Sequence, residues 1–341
     1  MDIFYAFNDA YAALAGISIY SLLQNNKECE NIRFFIVDSG ISKINREKIK
    51  NVIEESGREI TFYEMPSFGE ILGKDVDTGR WNINVYSKLF VGSILPDDVH
   101  KVISVDCDTV IVQSLAELWN TDISKAIVAG VNEAMSKQYR FNLGKKDQDY
   151  YLNSGLLMFN VDAMRKEGYE QKFLDYMKKY GSSLAYLDQD AVNAVVPQNR
   201  IAIIPPKFNA ITPIFCCSYK ELIKSRRAST YCTEKEFREA QTNPHIIHFT
   251  TFFMNDLRPW FEGSQHSKRD EFLKYKDASP WKEEPLWKDL REGRAKAKAH
   301  LIKILPRRLQ CTISSFLHGV VVPNQNKKKM NKALNGSGAG E

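Results

Sequence analysis

Two carboxylates at positions i and i+2, Asp106 and Asp108, leave the apolar run Lys101-Val102-Ile103-Ser104-Val105 and precede a second one, Val110-Ile111-Val112. At least one of them is poorly solvated there, and an ionised carboxylate in such a place is costly unless something compensates its charge. A divalent cation does so directly, and aspartate oxygens suit Mg2+ and Mn2+. Beside a diphosphate, such a cation takes up the negative charge that develops on a departing phosphate, with no proton transfer. The same tripeptide also serves as an ordinary polar turn. A third ligand would come from Pro244-His245-Ile246-Ile247-His248-Phe249. An imidazole beside two carboxylates favours Mn2+ over Mg2+. Strand alternation sends 245, 247 and 249 to one face and 246 and 248 to the other, so both histidines do not share a site. His248 is the candidate, His245 the competing choice, and a hydrogen-bonded core histidine the plain alternative.

The elements that must position these groups read as an α/β fold. Ile3–Phe7 predicts a strand ended by Asn8-Asp9, followed by a helical pattern from Tyr11 to about Asn25. Ile32–Val37 predicts a second strand ending at Asp38, Ser42 an N-cap for an amphipathic helix to Ser56, and Glu59–Glu64 a third strand. Strand–helix–strand with short connections implies parallel βαβ units with helices on the sheet faces. Further strands are expected at 101–105, 110–112, 126–131, 151–160 and 245–249, with helices near 84–93, 114–119, much of 162–195, and 266–276 as the last. In such sheets ligands bind beyond the carboxyl ends of the strands, where Asn8-Asp9, Asp38 and Asp106-Cys107-Asp108 fall.

Charge is segregated. Residues 293–340 hold ten Lys/Arg and no Asp or Glu, so the rest of the chain is mildly acidic although the whole carries +5. Between Ala295 and Val322 basic residues interleave with Leu301, Ile302, Ile304, Leu305, Leu309, Ile313, Phe316 and Leu317. That pattern implies an anchor on an anionic membrane surface, with a terminal helix packed on the body as the alternative. Few aromatics interleave with the basic residues, so no nucleic-acid partner is expected. The organisation expected is a catalytic domain over 1–280, a basic, partly helical segment over 281–323 and a disordered tail over 324–341, ending in linker-like Asn335–Gly340. No apolar run is long enough to span a membrane and the N-terminus does not read as a signal peptide. The six cysteines show no zinc or C-x-x-C spacing. The expected location is cytoplasmic, peripheral on the inner face of the membrane.

From Met1 to about Trp260 the chain resembles glycosyltransferase family 8, which includes bacterial lipooligosaccharide α-galactosyltransferases and glycogenin. The resemblance is carried by Asn8-Asp9, Val85-Tyr86-Ser87-Lys88-Leu89, Val105-Asp106-Cys107-Asp108-Thr109-Val110, Leu118-Trp119-Asn120-Thr121-Asp122, Tyr151-Leu152-Asn153-Ser154-Gly155-Leu156-Leu157, Leu187-Asp188-Gln189-Asp190, His248-Phe249 and Arg258-Pro259-Trp260, in this order. It implies a GT-A fold, with a Rossmann-like nucleotide-binding half and an acceptor-binding half on one mixed sheet. It implies a UDP-sugar donor (UDP-galactose or UDP-glucose), Mn2+, a glycan or lipid-linked oligosaccharide acceptor such as that of lipopolysaccharide or capsule, and retention of anomeric configuration. Asp106, Asp108 and His248 match the metal ligands. Ala6, Asn8 and Asp9 match the nucleoside edge, and Lys88 a basic residue near the donor. Asn153, Asp188 and Gln189 match the donor-sugar pocket, and Cys107 and Ser154 sit inside the same motifs. Arg258 stands where the family has a lysine for the diphosphate, after a longer loop that lacks the family's glycine. Asn8 replaces a common Asp, Ala10 an Asn, and Lys88 an Arg.

The position under the anomeric carbon falls to Gln189, a poor nucleophile. The resemblance therefore implies a same-face reaction, with Gln189 stabilising positive charge on the sugar and Asp188 holding its hydroxyls. The competing readings are a metal-dependent phosphoesterase or nucleotide-sugar hydrolase, and a catalytically degenerate glycan-binding protein on the same fold.

Overall fold

The computed structural model describes residues 1–64, 83–254 and 257–336. Four parallel strands form one half of the main sheet: β3 (Glu59–Glu64), β2 (Arg33–Asp38), β1 (Asp2–Phe7) and β4 (Lys101–Val105), in that spatial order. β1 and β2 are buried on both faces, and their residues divide by alternation. Ile3, Tyr5, Phe34 and Ile36 join one apolar layer, with helices α1 (Asp9–Gln24) and α2 (Lys43–Glu54). Phe4, Phe35 and Val37 join the other, with Tyr86, Leu89 and Phe173. Complete burial of each such side chain stabilises by about 1.5–3 kcal/mol. Ser42 caps α2 as its position in the sequence predicts, its hydroxyl accepting from Asn45 N–H. α1 carries no polar face because it is covered twice. A Cβ at Gly16 would lie 2.2 Å from the ring of fully buried Trp281, so glycine there lets the later chain dock on α1.

The second half of the sheet turns round. Strand β7 (Leu152–Asn160) pairs antiparallel with β4, and β6 (Val128–Asn132) antiparallel with β7, before β8 (Ile201–Ile203) adds parallel to β6. The reversal has a functional result. Val105 pairs with Leu156, so the start of β7 lies beside the end of β4, and the Asp106 N–H donates to the Gly155 carbonyl (2.9 Å). A small sheet of β5 (Thr109–Ile111), β10 (Ile246–His248) and β9 (Ala210–Ile211) then sets His248 opposite Thr109.

The C-terminal region departs from expectation. Arg269–Ala278 is a helix as expected but not the last one, and residues 324–336 are helical. Helices Gly293–Ile304, Arg307–Phe316 and Val322–Gly336 follow, the last two joined through a π-turn at Leu317–Val321. The polar composition that predicts disorder is offset by a few well-placed contacts. Cys311 and Ser314 are buried, and the Ser314 hydroxyl donates to the carbonyl of Ser225 in the helix Tyr219–Arg226. Met330 is buried with Tyr139 and Tyr151. Asn142 Nδ2 donates to the Pro323 carbonyl (2.7 Å), and Asn326 Nδ2 to the Ser183 carbonyl (3.2 Å). Ser337–Gly340 of the linker-like end lie outside the described residues.

Candidate active site

Beyond the ends of β1 and β4 lies a cleft of about 490 Å³, walled by Ala6, Asn8, Tyr11, Lys88, Asp106, Cys107, Asp108, Asp188 and Arg258 among others. Asn8 Oδ1 is buried on this wall without a hydrogen-bond partner. A buried acceptor left open in a cleft is completed by a ligand donor.

At the cleft floor, ligand atoms of Asp106, Asp108 and His248 all lie within 4.8 Å of one another. A chain of amide hydrogen bonds fixes how His248 presents itself. The Gly155 N–H donates to Asn153 Oδ1 (2.9 Å), and Asn209 Nδ2 donates to the same oxygen (2.8 Å). Asn209 Oδ1 therefore faces His248 Nδ1 (2.9 Å) and accepts its proton. Nε2 is left turned toward the carboxylates, 3.1 Å from Asp108 Oδ1, so it is the nitrogen that would give up its proton to bind a metal. The ring lies against β7 at its one glycine: a Cβ on Gly155 would stand 2.0 Å from His248 Cε1 and 2.4 Å from Nδ1. This donor set, two carboxylates and an imidazole of fixed tautomer, fits Mn2+ or Mg2+. Burial opposes charge on His248, but the Asp108 carboxylate beside it wins and raises its pKa. Burial opposes charge on Asp108 too, yet His248 and then Arg258 bring its pKa down to about 2. Asp108 is thus held as an anionic carboxylate.

Cations line the cleft beside these acids. Lys88 Nζ reaches Asp106 Oδ1 (2.6 Å), the Ser154 carbonyl (3.0 Å) and Asp188 Oδ2 (3.3 Å). Its burial disfavours the ammonium, but Asp106 and Asp188 outweigh that and raise its pKa. Arg258 Nη1 lies 3.4 Å from Asp108 Oδ2. The longer loop before it therefore still delivers a guanidinium to the metal-ligand side of the cleft. Asn255 and Asp256 of that loop lie outside the described residues.

Asp188, Gln189 and Asp190 open a helix, Leu187–Val195, whose first residue has φ of 41°. That left-handed turn costs a residue with a Cβ roughly 1–2 kcal/mol, and it falls directly before Asp188, which lines the cleft. Gln189 Oε1 accepts from the Ser154 N–H (3.0 Å), while Nε2 donates to Glu133 Oε2 (3.1 Å) and Tyr151 Oη (3.1 Å). Asn153 Nδ2 donates to the same Glu133 oxygen (2.9 Å). Burial raises the Asp188 pKa, with Lys88 opposing.

The family model described as glycosyl transferase family 8 matches residues 2–263. The chain belongs to glycosyltransferase family 8. It is 25% identical to general stress protein A of Bacillus subtilis, over 80% of this chain and 92% of that one. It is 24% identical to a lipopolysaccharide 1,2-glucosyltransferase of Escherichia coli, over 88% of this chain and 85% of that one. Its fold is that of the galactosyltransferase LgtC, solved with donor and acceptor sugar analogs: TM-score 0.68 at 21% identity, covering 87% of this chain and all of that one. The mixed sheet flanked by helices is thus the GT-A fold.

Of the residues singled out in the sequence, Ala6, Asn8, Lys88, Asp106, Cys107, Asp108, Asp188 and Arg258 line the cleft of this family 8 scaffold, and Asp9 does not. Asp9 faces away: its Oδ1 accepts from the Ser42 N–H (2.8 Å) and Asn45 Nδ2 (2.9 Å) at the start of α2. A carboxylate next to a helix N-terminus finds orphan donors there. Cys107 keeps its place on the wall, with Sγ 4.0 Å from the Ala6 carbonyl, and burial pushes its thiol pKa well up. His245 bonds the Ser114 carbonyl (2.7 Å) on the opposite face from His248, as alternation requires. Sequence reasoning missed Tyr11, Glu133, Tyr151 and Asn209. Tyr11 had a readable signal, three residues past Asn8 and one turn into α1. Glu133 and Asn209 had none, because each acts only through partners distant in the chain.

Proposed function

We propose that this family 8 transferase moves a hexose from UDP-galactose or UDP-glucose to a lipid-linked oligosaccharide of the cell surface, with retention of configuration. The observation that carries the reading is the meeting of Asp106, Asp108 and a tautomer-fixed His248 beside a cleft whose wall also holds an unpartnered acceptor, Asn8 Oδ1. Those three residues would hold Mn2+, which would supply Lewis-acid stabilisation to the diphosphate. Asn8 Oδ1 accepts from the base. Arg258 and Lys88 add positive charge where the leaving phosphate gathers negative charge. Asp188, Asn153 and Gln189 surround the sugar. The bond from C1 to the UDP oxygen breaks as the acceptor oxygen bonds C1 on the same face, and the acceptor's proton passes to the departing phosphate oxygen. Gln189 Oε1, still having a free lone pair, faces the positive charge at C1; a neutral amide suits that role better than it suits attack.

The acceptor class is supported by the lipopolysaccharide glucosyltransferase among the relatives. It is supported also by the C-terminal helices beyond residue 280, where Leu301, Ile304, Leu309 and Phe316 are exposed amid Lys and Arg. Such a surface suits the cytoplasmic face of an anionic membrane. Among the described residues no helix is long and apolar enough to cross one. Incubation with each UDP-hexose and Mn2+ tests the function. Release of UDP with sugar appearing on a lipid-linked acceptor supports it. Release of orthophosphate, or no turnover with any donor, contradicts it.

A further inference from the structure

Gln189 has a side chain whose two ends look alike in shape and differ only in chemistry, so its usefulness depends on which end faces where. Its surroundings decide this in part through a carboxylate that does not line the cleft. Asp190 is completely buried. Its Oδ1 accepts from Tyr151 Oη (2.7 Å), and its Oδ2 accepts from Tyr139 Oη (2.8 Å) and the Tyr186 N–H (2.9 Å). An ionised carboxylate only accepts, so Tyr151 spends its single hydroxyl proton on Asp190. Tyr151 Oη is then an acceptor for any other neighbour, and that neighbour is Gln189 Nε2 at 3.1 Å. The amide nitrogen is thereby drawn to the Tyr151 side, and the oxygen is left for the Ser154 N–H.

We propose that Asp190 is a positioning residue that acts through Tyr151 to hold the Gln189 amide oxygen toward the donor sugar. The layer around the relay is tight. Tyr139 and Tyr151 meet edge to face at 5.9 Å, and Met330 of the C-terminal helix closes the cluster. Burial holds the Asp190 carboxyl up at about 6, so it is ionised and purely accepting in neutral solution. Glu133 also accepts from Gln189 Nε2, which makes the Tyr151 hydroxyl a partial support on its own and a damaging one when its proton points the wrong way.

The proposal rests on the reading of Gln189 as facing the donor sugar, and the test separates the two. Four variants are compared, Gln189→Ala, Asp190→Asn, Tyr151→Phe and Asp190→Asn with Tyr151→Phe, by UDP release from UDP-galactose and UDP-glucose with Mn2+ at about pH 7.5, above the Asp190 titration. In Asp190→Asn the amide oxygen takes the site with two donors, Tyr139 and the Tyr186 N–H, and its nitrogen faces Tyr151. The tyrosine proton is then turned onto Gln189, where it meets Nε2 and displaces the amide. The expected loss in kcat is roughly 30-fold with donor KM unchanged within about threefold. Tyr151→Phe loses only about threefold, since Glu133 remains. The double variant recovers toward Tyr151→Phe, because no misdirected hydroxyl is left. A scaffolding role for Asp190 gives no such recovery. A readout independent of turnover is the side-chain 15N resonance of Gln189, identified by its loss in Gln189→Ala: it moves in Asp190→Asn and returns toward the Tyr151→Phe position in the double variant. A double variant as impaired as Asp190→Asn, or Asp190→Asn with unchanged kcat and resonance, overturns the proposal. Full activity in Gln189→Ala overturns instead the reading of the donor-sugar site.

Discussion

Replacing Gly155 with alanine places a methyl carbon 2.0 Å from His248 Cε1 and 2.4 Å from Nδ1. Ordinary carbon contacts begin near 3.4 Å, so the imidazole must retreat by more than ~1 Å. It has nowhere to go while Nδ1 stays on Asn209 Oδ1 at 2.9 Å. The hydrogen bond that fixes the tautomer breaks, and Nε2 leaves the other two ligands. Loss of a partner that orients a metal-bound histidine costs 10–100-fold in metal affinity, or about 1.4–2.8 kcal/mol. Overpacking of this kind also costs about 1–3 kcal/mol of stability, so binding is measured well below the unfolding midpoint. Calorimetric titration of Mn2+ into protein saturated with UDP reads the affinity directly. The reasoning predicts a Kd for Mn2+ raised by at least about tenfold in Gly155→Ala, with the circular dichroism of the folded state kept. An Mn2+ affinity equal to that of the wild type refutes it, since His248 would then be either free to move without consequence or no ligand at all.

Three further outcomes follow from the same geometry. Asn209→Ala removes the acceptor for His248 Nδ1 while leaving space, and Mn2+ affinity by the same titration falls roughly 10–100-fold. Asp190 supplies a pH dependence: its folded carboxyl titrates at about 6 against an ordinary 3.8, so between these values the native state holds the extra proton. Stability from this group is complete below about pH 4 and is lost as pH rises through about 6, an effect of roughly 3 kcal/mol; in urea melts the Asp190→Asn variant therefore gains on the wild type between pH 4 and 7, and a constant difference counts against it. Leu301→Glu with Ile304→Glu changes two exposed side chains, 54% and 64% accessible, and abolishes co-flotation with vesicles containing about 30% phosphatidylglycerol without lowering the melting temperature; unchanged flotation removes the membrane role from these helices.

The parts legible in the sequence are those set by local pattern. Apolar runs broken by Asn8, Asp38 and Asp106 gave the strand ends, and Ser42 the start of α2, because periodicity and capping act over a few residues. The three metal-ligand candidates were legible as residue types, and strand alternation already separated His248 from His245. What stayed hidden depends on contacts across the chain. Asp9 had the right type and place for a ligand contact, yet α2, some 33 residues on, offered its N-terminal donors. Asn209 becomes meaningful only once β9 is laid beside β10. Tyr151 and Asp190 meet because β7 runs antiparallel into a mostly parallel sheet, a reversal no local signal announces. The helix over 324–336 is not legible because average composition does not weigh one buried Met330 and a few amide-to-backbone bonds.

The most direct measurement is the electron paramagnetic resonance signal of free Mn2+, titrated with protein in the presence of UDP. Wild-type protein should deplete it at one ion per chain, whereas Asp108→Asn, folded and still carrying every other residue of the cleft, should leave it nearly undiminished. Equal depletion by the two proteins would mean that Asp106, Asp108 and His248 are not what holds the cation.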